Sequence, residues 1–167
     1  MEHAPTNGDA IGVEHVGKMT YLSAFLQETL RLYPPVGMIP RVSRHKENLG
    51  GIEVPSNTRL RLSPHMMHRH PKIWDEPEVF RPDRWIDVSP EEQERRRFAF
   101  FPFCFGGRNC IGQYLATLEA QLIVAALIRA FCFHIAPSQR DVEHTFTSIV
   151  TMRAKPGFRF TVSKRSS

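Results

Sequence analysis

Cysteine is scarce in this chain. Only Cys104, Cys110 and Cys132 occur, and no two of them form a C-x-x-C pair. An odd, sparse set excludes a disulfide framework and argues against a structural zinc site. Long apolar runs are also missing. The most apolar stretch, Ile111 to Phe131, is interrupted by Glu119 and Arg129, so no uncharged run reaches the length of a membrane span. The N-terminal MEHAPTNGDAIG has no apolar h-region and does not read as a signal peptide. Nor is charge of one sign concentrated. Lys and Arg total 22 against 17 Asp and Glu, a net charge of +5, and the cations are scattered. The densest run, Glu91 to Arg97, predicts a solvated helical turn in which Glu91 faces Arg95 and Glu92 faces Arg96 at i,i+4. Aromatics do not interleave with the basic residues, which excludes a nucleic-acid surface. There is no internal repeat and no low-complexity tract.

What is present suits one globular domain. A chain of 167 residues, 41% hydrophobic and 23% charged, is long enough to bury a core. Residues 1–17 are polar and read as a flexible N-terminal remnant, with 18–167 as the folded part. Met19 to Tyr33 predicts a helix, because Leu22, Phe25, Leu26, Thr29 and Tyr33 recur at helical spacing and Pro34-Pro35 stops it. Extended segments follow. Gly50-Gly51 turns the chain between Arg44–Asn48 and Ile52–Val54, and Pro55-Ser56-Asn57 turns it again before Thr58–Leu62. Ser63-Pro64 starts a short helical turn, closed by His70-Pro71. Residues 72–110 hold four prolines and little periodicity, and a connection of that length inside a compact domain is usually functional. A long helix from Ile111 to about Phe131 is apolar around most of its circumference, which predicts burial on several sides. Short strands around Ala136-Pro137 and a turn at Lys155-Pro156-Gly157 end the chain. The fold class is mainly α with small β-sheets.

Three groups of residues carry chemistry. Glu28 and Arg31 sit at i,i+3 on the first long helix, away from the centre of its Leu22/Leu26/Thr29 stripe; alone they read as an exposed ion pair of little value. Phe80-Arg81-Pro82-Asp83-Arg84-Trp85 is a turn whose arginine has the fork geometry to grip a carboxylate. The third, Phe101 to Gly112, reads FPFCFGGRNCIG. Gly106 and Gly107 open backbone conformations barred to other residues. Cys110 stands just before a long helix, where the helix dipole and Arg108 favour a thiolate. That thiolate suits a nucleophile, a redox sensor or a metal ligand, although no histidine lies within the stretch to serve a nucleophile as base. His65, His68 and His70 cluster on the short turn, but the pattern does not make a metal site.

Phe103-x-x-Gly106-x-Arg108-x-Cys110-x-Gly112 resembles the haem-binding loop of the cytochrome P450 family at every fixed position. Glu28-x-x-Arg31 is similar to that family's helix K motif, and Pro82-Asp83-Arg84-Trp85 to its meander, in the family's order and spacing. The resemblance implies a buried structural triad of Glu28, Arg31 and Arg84. It implies haem b (iron protoporphyrin IX) with Cys110 as the axial iron ligand, Arg108 and Arg41 on the propionates, Phe103 packed beside the sulfur, and Gly106 and Gly112 easing the approach of the loop. Val36, Met38 and Ile39 in one segment, and Ile149 and Val150 in another, match substrate-recognition segments and suit a lipophilic molecule. The implied activity is monooxygenation: one atom of O2 enters the substrate and the other leaves as water. Electrons would come from an NADPH-dependent reductase or another donor, docking on Arg69, Lys72, Arg95, Arg96 and Arg97. The motif style and Pro34-Pro35 resemble microsomal members, whose place is the endoplasmic reticulum membrane. The resemblance runs from about Gly17 to Lys164 and covers the C-terminal part of the family's domain. The family's oxygen-activating helix would precede Met19, and nothing in MEHAPTNGDAIGVEHVGK matches it. Catalytic residues are therefore unassigned, and the chain is expected to be inactive alone. Two rival readings are a haem-binding module without turnover and an inert fragment.

Overall fold

The computed structural model describes residues 10–139, 145–147, 151–155 and 157–165. Helix α1, Val13–Val16, lies in the segment expected to be frayed, and Val16 is buried. The reason is local: Val16 joins Met19 and Leu22 in an apolar cluster closed by Ala125. Helix α2 follows, Thr20–Leu32, ending at Tyr33 just before Pro34-Pro35 as its sequence predicts. Strand β1 (Ile39–Val42) pairs antiparallel with β4 (Arg59–Leu62), and between them β2 (Glu47–Leu49) pairs with β3 (Ile52–Val54). Gly50 and Gly51 both have positive φ, 61° and 91°, the conformation a two-residue hairpin turn requires. Ser43 ties the base of this unit: its hydroxyl donates to the Pro55 carbonyl at 2.7 Å and accepts from the Thr58 N–H at 2.9 Å.

Helix α3, Pro64–Met67, is capped by the Ser63 hydroxyl, which accepts from the Met66 N–H. The proline-rich stretch that follows contains a 3-10 turn, Pro82–Trp85, and helix α4, Pro90–Arg96, capped by Ser89. In α4 the predicted pairing shifts: Glu92 takes both Arg95 and Arg96, and Arg97 pairs with Glu94. Each guanidinium reaches back three or four residues, and Glu92 is the carboxylate within reach of two. A second 3-10 turn, Gly106–Arg108, leads into helix α5, Gln113–Ala130. Strand β5 (Phe131–Ile135) continues from it and pairs with β8 (Phe160–Lys164), while β6 (Thr145–Thr147) pairs with β7 (Arg153–Lys155). Among the described residues the sheets are four two-stranded pairs, and the fold is mainly α.

Helix α5 is less buried than its composition predicts. Only Ala125 is fully covered; Tyr114 is 90% exposed, and Leu115, Ile123 and Leu127 are exposed too. Its cluster partners come from α1, α2 and the residues beside them, so one stripe is covered and the rest of its apolar circumference is not. No helix of the described residues is long and apolar enough to cross a membrane.

A second core is aromatic. Trp74, buried to 1% exposure, packs against Trp85 and Phe100, with ring centroids 5.5 and 6.3 Å away. Two guanidiniums lie over its ring, Arg31 at 5.4 Å and Arg96 at 5.2 Å. Trp74→Ala is expected to lower unfolding free energy by about 3–5 kcal/mol. Tyr114→Ala, on the exposed face of α5, should change it by less than about 0.5 kcal/mol. Urea midpoints of the two variants check the contrast, and equal losses would contradict the assignment of Trp74 to the core.

Candidate functional site

Among the described residues, five N–H groups converge on the carboxylate of Glu28. Oε1 accepts from Arg31 Nη2 at 2.8 Å, from the Arg81 backbone N–H at 2.8 Å and from Arg84 Nε at 3.0 Å. Oε2 accepts from Arg31 Nε and from Trp85 Nε1, both at 2.9 Å. Glu28 and Arg31 have no exposed surface, and the Arg84 side chain has almost none. The angular reading from α2 alone, an exposed pair, is thereby corrected. The face of α2 opposite its apolar stripe is covered by residues 68–85, brought there by the irregular connection. Burial alone would raise the Glu28 carboxyl; hydrogen bonds from Arg31, Arg81 and Trp85 overcome it and hold the group down at about 2.

The guanidiniums then hold the backbone around them. Arg31 donates to the carbonyls of His68 at 2.8 Å, Pro77 at 2.6 Å and Val79 at 3.2 Å. Arg84 donates to Asp75 at 2.9 Å and to Glu76 and Val79 at 3.3 Å. A stretch with no helix or strand of its own thus finds partners for its carbonyls in two side chains. Arg96 adds a further tie, donating to the Arg84 carbonyl while its guanidinium covers Trp74 and Trp85.

The Cys110 loop leaves this network through Phe101. The Phe101 N–H donates to His68 Nε2 at 3.0 Å. The Cys104 N–H then donates to the Phe101 carbonyl, and the Cys110 N–H to the Phe103 carbonyl at 2.8 Å, which folds the loop back on itself. Gly106 has φ of 72°, a conformation that favours glycine, and Cys104 shares it at 62°. Cys110 is exposed, and Phe103, seven residues earlier, is partly buried. A Cβ built at Gly106 or Gly107 meets nothing within 4 Å, so the chain itself gives no steric reason for glycine at 107. A flat group laid on the loop would give one. At Gly112 a Cβ would stand 3.9 Å from the Cys110 sulfur, in ordinary contact.

Arg41, on β1, and Arg108, on the loop, line one open cleft of about 1010 Å³, with Arg44 and His45 on the same walls. The residue types fit haem: an exposed thiol as metal donor, a glycine loop open to a planar group, and two guanidiniums able to bind its carboxylates.

The substrate expectations divide. Met38 is exposed and Val36 partly buried, but Ile39 is buried to 7% within the chain and presents little surface to a ligand. It begins β1, and its side chain belongs to the core. Ile149 and Val150 lie outside the described residues. Their neighbour Met152 does reach the first segment: its N–H donates to the Pro35 carbonyl at 2.6 Å, and its sulfur lies 2.7 Å from where a Cβ on Gly37 would stand. Of the expected docking cations, Arg69 pairs with Glu78 and covers the Tyr33 ring, and Arg96 is turned inward. Lys72, Arg95 and Arg97 are exposed. The histidines of the short turn separate: His65 contacts Arg69, His70 accepts from the Lys72 N–H, and His68 is buried. Spacing gave no sign of the Trp85 and Arg81 donors or of His68, because each depends on a contact across a long loop.

The buried network and the buried histidine each generate a test. Glu28→Ala, which leaves two buried guanidiniums without their carboxylate, and Arg84→Ala, which takes one charged donor from Glu28 and the guanidinium from the Asp75 and Glu76 carbonyls, should each cost about 3–5 kcal/mol. The double variant should lose clearly less than the sum. A urea double-mutant cycle measures this, and simple additivity would mean that the two side chains act independently. The second test concerns pH. Burial, with help from Arg31 and Arg69, lowers His68 from 6.5 to about 4, while the Arg31 and Leu30 carbonyls act in the raising sense without making a hydrogen bond to Nδ1. The unfolded chain therefore takes up this proton first, and stability should fall by about 3 kcal/mol as pH drops from 6.5 toward 4. Glu28 acts later: its contribution is complete above pH 4.5 and is lost as pH falls toward 2. Unfolding free energies across that range check both, and a flat profile between pH 6.5 and 4 would contradict the burial of a neutral His68.

Comparison with known proteins bears on this geometry. A family model described as Cytochrome P450 matches residues 2–161. The chain is 32% identical over 166 residues to "Probable cytochrome P450 4ac1" of Drosophila melanogaster, covering 99% of this chain and 32% of that protein. It is 35% identical to human "Cytochrome P450 4B1" (87% of this chain, 28% of that one) and 39% identical to "Cytochrome P450 734A1" of Arabidopsis thaliana (75% and 24%). The crystal structure of a cytochrome P450DA heme domain superposes with a TM-score of 0.83 at 25% identity, covering 96% of this chain and 34% of that one. The chain thus spans about a third or less of the length of these proteins.

Proposed function

The chain belongs to the cytochrome P450 family, and from that premise we propose that it forms the thiolate-bearing wall of a haem monooxygenase acting on a lipophilic substrate. The observation that carries the reading is the cleft in which Arg41 and Arg108 meet, on the loop that carries the exposed Cys110. In this reading Cys110 would hold the iron of haem b. Arg41 and Arg108 would bind its propionates. Phe103 would pack beside the sulfur, and Gly106 and Gly112 would let the loop approach the group. The backbone N–H groups near the sulfur moderate its donation.

Haem held by a cysteine thiolate supplies the activation of O2, its sulfur pushing electron density toward O–O cleavage as in cytochrome P450s generally. The chain's own residues orient that group and keep the sulfur side fixed. Met38 and Val36 would line the approach of a lipophilic substrate, with Met152 fastening the tail segment to theirs. Lys72, Arg95 and Arg97 would meet an electron donor with an acidic face, such as an NADPH-dependent reductase. The motif style and Pro34-Pro35, which resemble microsomal members, support a place on the endoplasmic reticulum membrane. Turnover is a property of the whole family domain, and this chain alone is expected to bind haem without hydroxylating substrate.

Reconstituting residues 1–167 with haem, reducing, and adding carbon monoxide should give the red-shifted thiolate–CO Soret band, and Cys110→Ser should abolish it. Persistence of that band in the serine variant would overturn the ligand assignment.

A further inference from the structure

We propose that His68 is a positioning residue, the joint through which the Glu28–Arg31–Arg84 network sets the Cys110 loop. This rests on the reading of Cys110 as the iron ligand. His68 is fully buried and takes part in none of the roles assigned above. Both ends of the residue are engaged. Its carbonyl accepts from Arg31 Nη1 at 2.8 Å, so the network fixes its backbone. Its ring accepts the Phe101 N–H at 3.0 Å, so its side chain fixes the first residue of the loop. The ring is clamped between Phe100 and Phe101, with centroids 5.2 and 5.4 Å away, and Phe101 in turn packs at 5.5 Å on Phe105, the residue before Gly106. From Phe101 the backbone bonds already described run to Cys104 and, through Phe103, to Cys110.

The chemistry of the ring singles out this role. A neutral imidazole that accepts at Nε2 carries its proton on Nδ1. That Nδ1 is buried and has no hydrogen-bond partner among the described residues. An orphaned buried donor is destabilising, and a phenyl ring of similar size would avoid it. A phenyl ring would instead orphan the Phe101 N–H. Histidine at this position therefore accepts an unsatisfied Nδ1, on the side of the Leu30 and Arg31 backbone, in return for an acceptor at the root of the Cys110 loop. A purely space-filling role would not require the acceptor. Glutamine carries an acceptor at about the reach of Nε2, so it separates the two roles.

The test uses residues 1–167 labelled with nitrogen-15, first without haem. In the unsubstituted chain the Phe101 amide should be protected from exchange and show a scalar coupling across the hydrogen bond to His68 Nε2. His68→Gln should retain protection at Phe101, and His68→Phe should reduce it by roughly tenfold or more. With haem and carbon monoxide, the glutamine variant should keep the thiolate band and the phenylalanine variant should lose intensity from it. Equal behaviour of the two variants at Phe101 and in the band would reduce His68 to a packing residue. Because His68→Phe could unfold the chain, the coupling in the unsubstituted protein decides independently: its absence, with fast exchange at Phe101, overturns the proposal. Should the unsubstituted chain give no thiolate band while the amide data hold, the ligand reading falls and the joint stands.

Discussion

A carboxylate taken fully out of water is among the most costly groups a protein can bury, and Glu28 is buried without remainder. What makes it tolerable is the completeness of its coordination, two guanidiniums, an indole N–H and a backbone amide. Two positive charges against one negative leave a surplus, and the surplus is met by carbonyls. Residues 75–79 supply several of them, and the segment has no sheet or helix in which to satisfy those carbonyls otherwise. Charge and backbone therefore solve each other's problem. The guanidinium fork, with its donors in one plane, suits this role in a way a lysine ammonium does not.

The position of the Cys110 loop follows from that arrangement. Helix α2 carries Glu28 and Arg31 rigidly, one turn apart. Arg31 reaches out to the His68 carbonyl, and Arg84 gathers the meander, with Trp85 and Trp74 stacked beneath Arg96. The loop begins where this aromatic core ends, at Phe101, and closes on itself before α5 begins. Among the described residues, the backbone bonds of the loop after Phe105 run within the loop itself, as from the Cys110 N–H to the Phe103 carbonyl. Its geometry is set by its root, and the root is set by the network.

Much of the architecture was legible because it is local. The helical repeat of Leu22, Leu26 and Thr29, the double proline after Tyr33, the paired glycines of the hairpin and the Ser63-Pro64 start all act over a few residues, and each appears where its chemistry requires. Burial was the part composition could not supply. An angular projection of α2 places Glu28 and Arg31 off the apolar stripe, which is correct, and then assigns them to solvent, which is not. Their cover arrives from a stretch without periodicity, 37 to 57 residues on, and no rule of local spacing reaches that far. Helix α5 errs in the opposite direction. Apolar residues around the whole circumference say that it wants partners on every side, and the described residues provide them on one. Only the family motifs tied Glu28, Arg31 and Arg84 together in advance, because they carry long-range geometry that spacing does not.

The two halves of the molecule differ in what they need from outside. The carboxylate of Glu28 and the guanidiniums of Arg31 and Arg84 are matched with partners among the described residues. The cleft is the reverse. Arg41, Arg44 and Arg108 share its walls with one carboxylate, Glu47, so positive charge is in excess, and the Arg108 guanidinium has no hydrogen-bond partner among the described residues. Guanidiniums sharing one open cleft repel one another and gain from an anion that bridges them, the more so if it carries two carboxylates at a fixed spacing. The exposed thiol and the uncrowded glycine loop stand on the same side of that balance. On the proposed reading, a surface self-sufficient behind the loop and unsatisfied in front of it would receive a group of complementary charge and planar shape, and the rigidity of the rear would let the front wait in position for it.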